Sequence, residues 1–132
     1  MSQLQSRILV RRTGCHCSIV QSYRFQLSNT VWDFVVNWSP FNKDTVGKQF
    51  VRSVDSISAN IAEGFGRYSK KDKIRFYRIS KGSLYESLDW NEKARVRGLL
   101  SDKEYQAVFN ELEQIPKLLN QLIKYTDLKL KE

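Results

Sequence analysis

With 132 residues, 41% of them apolar and 27% charged, the chain has the composition of one soluble globular domain with a core of its own. Two prolines and six glycines are too few for an all-β fold that must turn often, and no apolar run approaches the roughly 20 residues needed to cross a bilayer. The net charge of +8 is unevenly placed: residues 1–18 carry +3, residues 19–65 sum to zero, residues 66–97 carry +6 and residues 98–132 carry −1. A localised basic field favours anionic partners, nucleic acid first among them, although a solvated basic helix face with no dedicated partner gives the same composition.

Residues 1–20 are expected to form a flexible basic arm preceding a bundle domain over 21–132. The arm holds Arg7, Arg11 and Arg12 and no acid. Its apolar stretch, Ile8-Leu9-Val10, is too short for the h-region of a signal peptide, so a cytoplasmic location is expected. Cys15, His16 and Cys17 crowd three candidate metal ligands into "GCHC". A zinc site needs about four ligands in separated pairs, and no second cluster exists in the sequence. Neither a metal, a disulfide nor any other cofactor is expected from these residues.

Residues 23–38, "YRFQLSNTVWDFVVNW", place Leu27, Val31, Phe34, Val35 and Trp38 at helical spacing. Ser39-Pro40 closes that segment, because the residue before a proline is pushed out of the helical region. A second helix is predicted from near Asp44, with Val46, Phe50, Val54, Ile57, Ile61 and Phe65 on one stripe, ending at Gly64 or Gly66. The third opens at "SKKD", with Ser69 as N-cap and Asp72 three residues on; Gly98 is placed to end it as the C′ residue. The fourth opens at "SDKE", with Ser101 and Glu104 forming the same pattern. Tyr105, Val108, Leu112, Ile115, Leu119, Leu122 and Thr126 follow along its apolar seam. Pro116 falls inside this run and is expected to kink or break it. Four amphipathic segments with short connections and no strand signal predict an all-α, antiparallel up-down-up-down four-helix bundle.

On a helical wheel the third segment carries two apolar flanks. Ile74, Tyr77, Leu84 and Leu88 form one; Phe76, Ile79 and Trp90 form the other. Ser80, Ser83 and Ser87 lie around or between them and would permit close backbone approach. The second flank is either a contact with another subunit or the edge of a broad intramolecular face. Lys71, Arg75 and Arg78 share the polar direction, at i, i+4 and i+7, and should form a basic ridge. The "GFGRYSK" preceding them matches neither the dinucleotide-binding nor the P-loop pattern, and a helix precedes it rather than a strand. It reads as a hinge, with Gly64 and Gly66 expected to turn left-handed and Phe65 to plug the end of the core.

The stretch "SISANIAEGFGRYSKKDKIRFYRISKGSLYES", residues 56–87, resembles the signature of the four-helix-bundle family of 23S ribosomal RNA intervening-sequence proteins. The likeness rests on Ser56-Ile57, Asn60-Ile61-Ala62-Glu63-Gly64, Gly66-Arg67, Ser69, Arg75-Phe76 and Gly82-Ser83-Leu84 with Glu86. It extends over roughly residues 22–126, the first and last helices matching in pattern only. The resemblance implies an antiparallel bundle assembling as a homo-oligomer, a ring of five. It also implies kinship with the accessory variability determinants of diversity-generating retroelements, basic bundles that bind a reverse transcriptase and nucleic acid. No enzymatic chemistry comes with it. Residues 1–20, the basic third helix and Pro116 depart from the family pattern. Asn60, Glu63, Arg67 and Glu86 are expected to form a structural polar network around the hinge, in which Arg67 or Arg75 pairs with Glu63 or Glu86.

Three classes of function follow. The first is a non-enzymatic oligomer that binds RNA or DNA through Lys70, Lys71, Lys73, Arg75, Arg78 and Lys81, with Arg7, Arg11 and Arg12 extending its reach and a reverse transcriptase as the implied protein partner. The second is a scaffold whose basic surface docks an acidic protein. The third, an enzyme, is disfavoured: the chain has one histidine, no nucleophile motif and no metal-ligand pair.

Overall fold

The computed structural model describes residues 26–130; the arm with Arg7, Arg11, Arg12 and the Cys15-His16-Cys17 run lies outside them. The described residues are all helical apart from short connections. Helix α1 covers 26–35. A single turn of α-helix at Pro40–Asn42, a π-helical turn at Lys43–Gly47 and an α-helix at Lys48–Gly66 then run on without a gap and form one rod, α2. Helix α3 spans Lys70–Val96 and α4 spans Asp102–Lys129. Successive helices run antiparallel and bury a single core, as the periodicity predicts. Among the described residues no helix is long and apolar enough to cross a membrane.

The first boundary differs from expectation. The helix tightens after Val35, where Trp38 N–H donates to Val35 O at 3.0 Å, and Asn37 Nδ2 caps Asp33 O at 2.9 Å. The second helix begins at Pro40 rather than near Asp44. Ser39 is its N-cap, accepting from Asn42 N–H, and Pro40 takes the first helical position, where no N–H is needed. The π turn follows at once, with Lys48 N–H reaching back to Lys43 O. Periodicity could not reveal it, because one wide turn leaves the apolar stripe intact from Val46 onward.

Two glycines set how closely α2 approaches its neighbours. A Cβ on Gly47 would lie 2.7 Å from Val35 Cγ1 of α1, and one on Gly64 would lie 2.6 Å from Tyr77 Cε1 of α3. Gly64 is therefore a contact residue. It does not turn left-handed as expected, and neither does Gly66; among the described residues only Gly98 has positive φ. The chain leaves α2 by an ordinary extended residue, Arg67, at φ −77° and ψ 148°. Phe65 packs edge-on against Tyr77, with ring centroids 5.8 Å apart, at the end of the core.

Serines continue this close seam. The buried Ser80 hydroxyl donates to Ile57 O across the interface at 2.7 Å. Ser87 Oγ lies 3.1 Å from Ser53 Oγ and 2.8 Å from Ser83 O; its single proton serves one of the two. The buried line of α3 is Tyr77, Ser80, Leu84, Ser87, Asn91 and Ala94, so it takes in Tyr77 and Leu84 of the first flank and the small residues beside them. Leu88 and Trp90, from opposite flanks, both pack against the core edge, whereas Ile79 remains 44% exposed.

The third connection is a Schellman turn: Leu99 N–H bonds Ala94 O at 2.8 Å and Gly98 N–H bonds Arg95 O at 3.0 Å, with Gly98 at φ +72°. Ser101 and Glu104 form the complete capping box of α4. Val108, Leu112, Ile115, Leu119, Leu122 and Thr126 are all buried. Pro116 does not break this helix, contrary to expectation; α4 is continuous through it. The proline lies one residue past buried Ile115 and is itself half-buried, and packing of the seam on both sides holds the helical path. Asn91, wholly buried, donates to Tyr105 O and ties α3 to α4.

Two carboxylates lie at the margins of the core. Burial pushes Asp55 above its ordinary value, opposed by the Ser28 hydroxyl. Burial likewise raises Glu111, whose Oε2 has no hydrogen-bond partner among the described residues. A folded-state value above the unfolded one means that ionisation is penalised in the fold. Each group's contribution to stability is then greatest below its ordinary value, 3.8 for Asp55 and 4.5 for Glu111, and declines as pH rises from there through the raised one.

Three outcomes are expected. Gly64→Ala should destabilise by about 1–3 kcal/mol in urea unfolding, because the overpacking against Tyr77 outweighs the helix propensity that alanine adds. Gly66→Ala, whose new Cβ meets nothing within 4 Å, should be neutral or stabilising by up to about 1 kcal/mol. Glu111→Gln should raise the melting temperature at neutral pH, and this advantage should shrink as the pH falls towards 4.5 and be gone below it. A constant difference across the pH range would contradict the assignment.

Candidate functional site

The surplus charge occupies half of one helix. Residues 66–81 contain seven bases and one acid, whereas residues 82–97 contain three of each. The second group neutralises itself locally. Lys93 pairs with Asp89, and Arg95 with Glu92, one turn apart on α3. The Arg95 guanidinium holds Glu92 below the ordinary carboxylate range, and Glu92 in turn raises the Tyr105 hydroxyl. Lys93 also lies over the Trp90 ring, 4.7 Å from its centroid, and Trp90 Nε1 donates to Glu86. Among the described residues the unbalanced field is thus confined to the hinge and the first three turns of α3.

Of the six cations expected on this surface, three are engaged inside the bundle. Lys73 donates to Phe65 O at 2.9 Å and Gly64 O at 3.4 Å, satisfying carbonyls at the C-terminus of α2. Burial lowers its ammonium below the ordinary lysine value. Lys70 pairs with Asp127 of α4 at 3.2 Å, and Lys81 donates to Asn120 Oδ1 at 3.1 Å. These roles had a signal in the sequence. Lys73 lies one turn before the buried Tyr77, on the same line of the wheel, and Lys70 and Lys81 stand three turns apart on the flank facing α4.

The other three, Lys71, Arg75 and Arg78, are exposed on the outer face of α3. None has an ion-pair partner among the described residues. From Lys71 to Arg78 the ridge rises roughly 10 Å along the helix. Arg75 stands 5.3 Å from the Phe76 ring centroid, and Arg67 covers the same ring at 4.6 Å.

The polar network expected at the hinge is only partly assembled. Arg67 pairs with Glu63 one turn away, as expected, and both are about half exposed. Asn60 donates to Ser56 O within its own helix, and Glu86 accepts from Trp90. The pair braces the end of α2; Asn60 and Glu86 belong to other contacts. Tyr68, between Arg67 and Ser69, was not singled out by its sequence context and is wholly exposed.

Among the described residues no cluster of histidine, cysteine and carboxylates is placed to hold a metal ion. What the geometry offers is a rigid cationic ridge beside an exposed aromatic hinge.

A family model described as 23S rRNA-intervening sequence protein matches residues 18–121. Among solved structures, the chain is similar to a protein of unknown function from the S23 ribosomal protein family of Bacteroides thetaiotaomicron. The two are 27% identical, the match covers 80% of this chain and 98% of that one, and the TM-score is 0.71. No curated protein matches. The matched segment takes in all of α1, α2 and α3 and most of α4, and the chain belongs to the 23S rRNA-intervening sequence protein family.

Proposed function

We propose that this protein is a non-enzymatic, cytoplasmic homo-oligomer, a ring of about five bundles, that binds nucleic acid along the outer face of α3. The observation that carries this reading is the set Lys71, Arg75 and Arg78: exposed, aligned on one face and without acidic partners among the described residues. A protein that needed these charges for its own stability would pair them, as it pairs Lys70, Lys93 and Arg95. Phosphate contacts from such a ridge give affinity without sequence readout. Repetition around a ring raises weak contacts to useful avidity through effective concentration.

Support for assembly comes from the second apolar flank of α3. Phe76 and Trp90 are half-buried and Ile79 is 44% exposed, more apolar surface than the bundle itself covers. In this reading the ring serves a reverse transcriptase of the diversity-generating kind, the partner implied by the resemblance. The second reading is a scaffold whose basic surface, the same Lys71, Arg75 and Arg78, docks an acidic protein. Nucleic acid copurifying with the protein, read as an elevated absorbance ratio, separates the two.

Fluorescence anisotropy with a labelled polynucleotide should show binding that weakens steeply with salt. Arg75→Glu with Arg78→Glu should reduce affinity at least tenfold and flatten the salt slope by about 2. Affinity equal to wild type would remove the ridge from the account. Native mass spectrometry should show a multimer, and Ile79→Asp should shift it towards monomer; a monomeric wild-type protein would overturn the assembly.

A further inference from the structure

We infer that the nucleic acid is single-stranded, and that Tyr68 is the platform on which one of its bases stacks. This deepens the preceding proposal and rests on it. Tyr68 is the most exposed large hydrophobic side chain among the described residues, with a relative exposure of 102%. It contributes nothing to the core, and no cation covers its ring among the described residues. Its neighbour Phe76, in contrast, is half-buried and has Arg67 and Arg75 within cation–π distance. At the hinge end of the ridge, Tyr68 rather than Phe76 therefore has the open ring face.

Its placement is fixed by its surroundings. Arg67 is held to Glu63 at the end of α2, and Ser69 caps α3 by accepting from Asp72 N–H at 3.1 Å. The tyrosine stands between these two anchors, and the exposed Lys71 follows one turn later. An anionic backbone lying along Lys71, Arg75 and Arg78 would leave the ridge at the hinge, beside Tyr68. Aromatic stacking on bases tolerates any sequence, because every base has a π-face. In a duplex those faces are already stacked, so the ring has nothing to engage except at ends, bulges and loops. Ridge and ring together make a cationic track that ends in a stacking platform, suited to single strands.

The experiment compares wild type, Tyr68→Ala, Tyr68→Phe and the Arg75→Glu, Arg78→Glu double variant by anisotropy. The probes are labelled single-stranded RNA, single-stranded DNA and a duplex of matched length. Tyr68→Ala should weaken binding to single strands roughly tenfold and leave duplex binding within about twofold. Tyr68→Phe should retain wild-type affinity, since the ring and not the hydroxyl stacks. The RNA and DNA arms report which sugar the site accepts. Equal single-strand affinity in wild type and Tyr68→Ala, or equal losses on single strands and duplex, overturns the platform. If the double variant still loses affinity in that case, the ridge survives without it. If wild type binds none of the probes at low salt, both readings fall together.

Discussion

The structure depends on how closely α2 and α3 approach. Gly64 leaves no room for a Cβ against Tyr77, and Ser80 reaches a backbone carbonyl of α2, so small residues rather than large ones line the seam. A helix that meets its neighbour through glycine and serine uses little of its apolar surface there. Apart from the buried Tyr77 and Leu84, the large apolar side chains of α3 lie at the margins of the contact, where Leu88 and Trp90 pack at the core edge and Ile79 stays partly exposed. Core packing and spare apolar surface thus have one cause.

The same approach decides the fate of the charges. Tyr77 and Ser80 point inward, so Lys73, on their line of the helix, is drawn to the end of α2 and gives its protons to orphan carbonyls. Lys70 and Lys81, on the flank towards α4, find Asp127 and Asn120. Lys71, Arg75 and Arg78 are left on the opposite side, facing solvent. The bundle therefore divides the bases of α3 into structural ones and free ones. It leaves the free ones on a rigid helix, where their spacing is constant and no backbone order has to be created on binding.

Much of this was legible in the sequence. The caps at Ser69 and Ser101, the left-handed Gly98 and the buried lines of α2 and α4 follow from local chemistry, which acts within one turn and leaves a fixed spacing. The misplaced features are those in which local preference met a tertiary contact. Gly64 read as a turn residue because glycine permits positive φ, whereas its use is the missing Cβ. Pro116 read as a breaker because it removes one backbone bond, whereas the seam from Val108 to Thr126 holds the helix through it. The hinge network read Asn60, Glu63, Arg67 and Glu86 as one cluster, of which only Glu63 and Arg67 meet.

By itself, the sequence determined the fold class, the helix ends set by caps, the family and the side of α3 on which its basic residues concentrate. Each of these is a matter of spacing along one helix or of motif. Only the tertiary structure decided which bases are already engaged, that Tyr68 stands clear of every neighbour, and that Gly64 is a point of contact. Those outcomes depend on atoms many residues apart arriving at one place, and helical periodicity records the face a side chain occupies but not what the neighbouring helix brings to meet it.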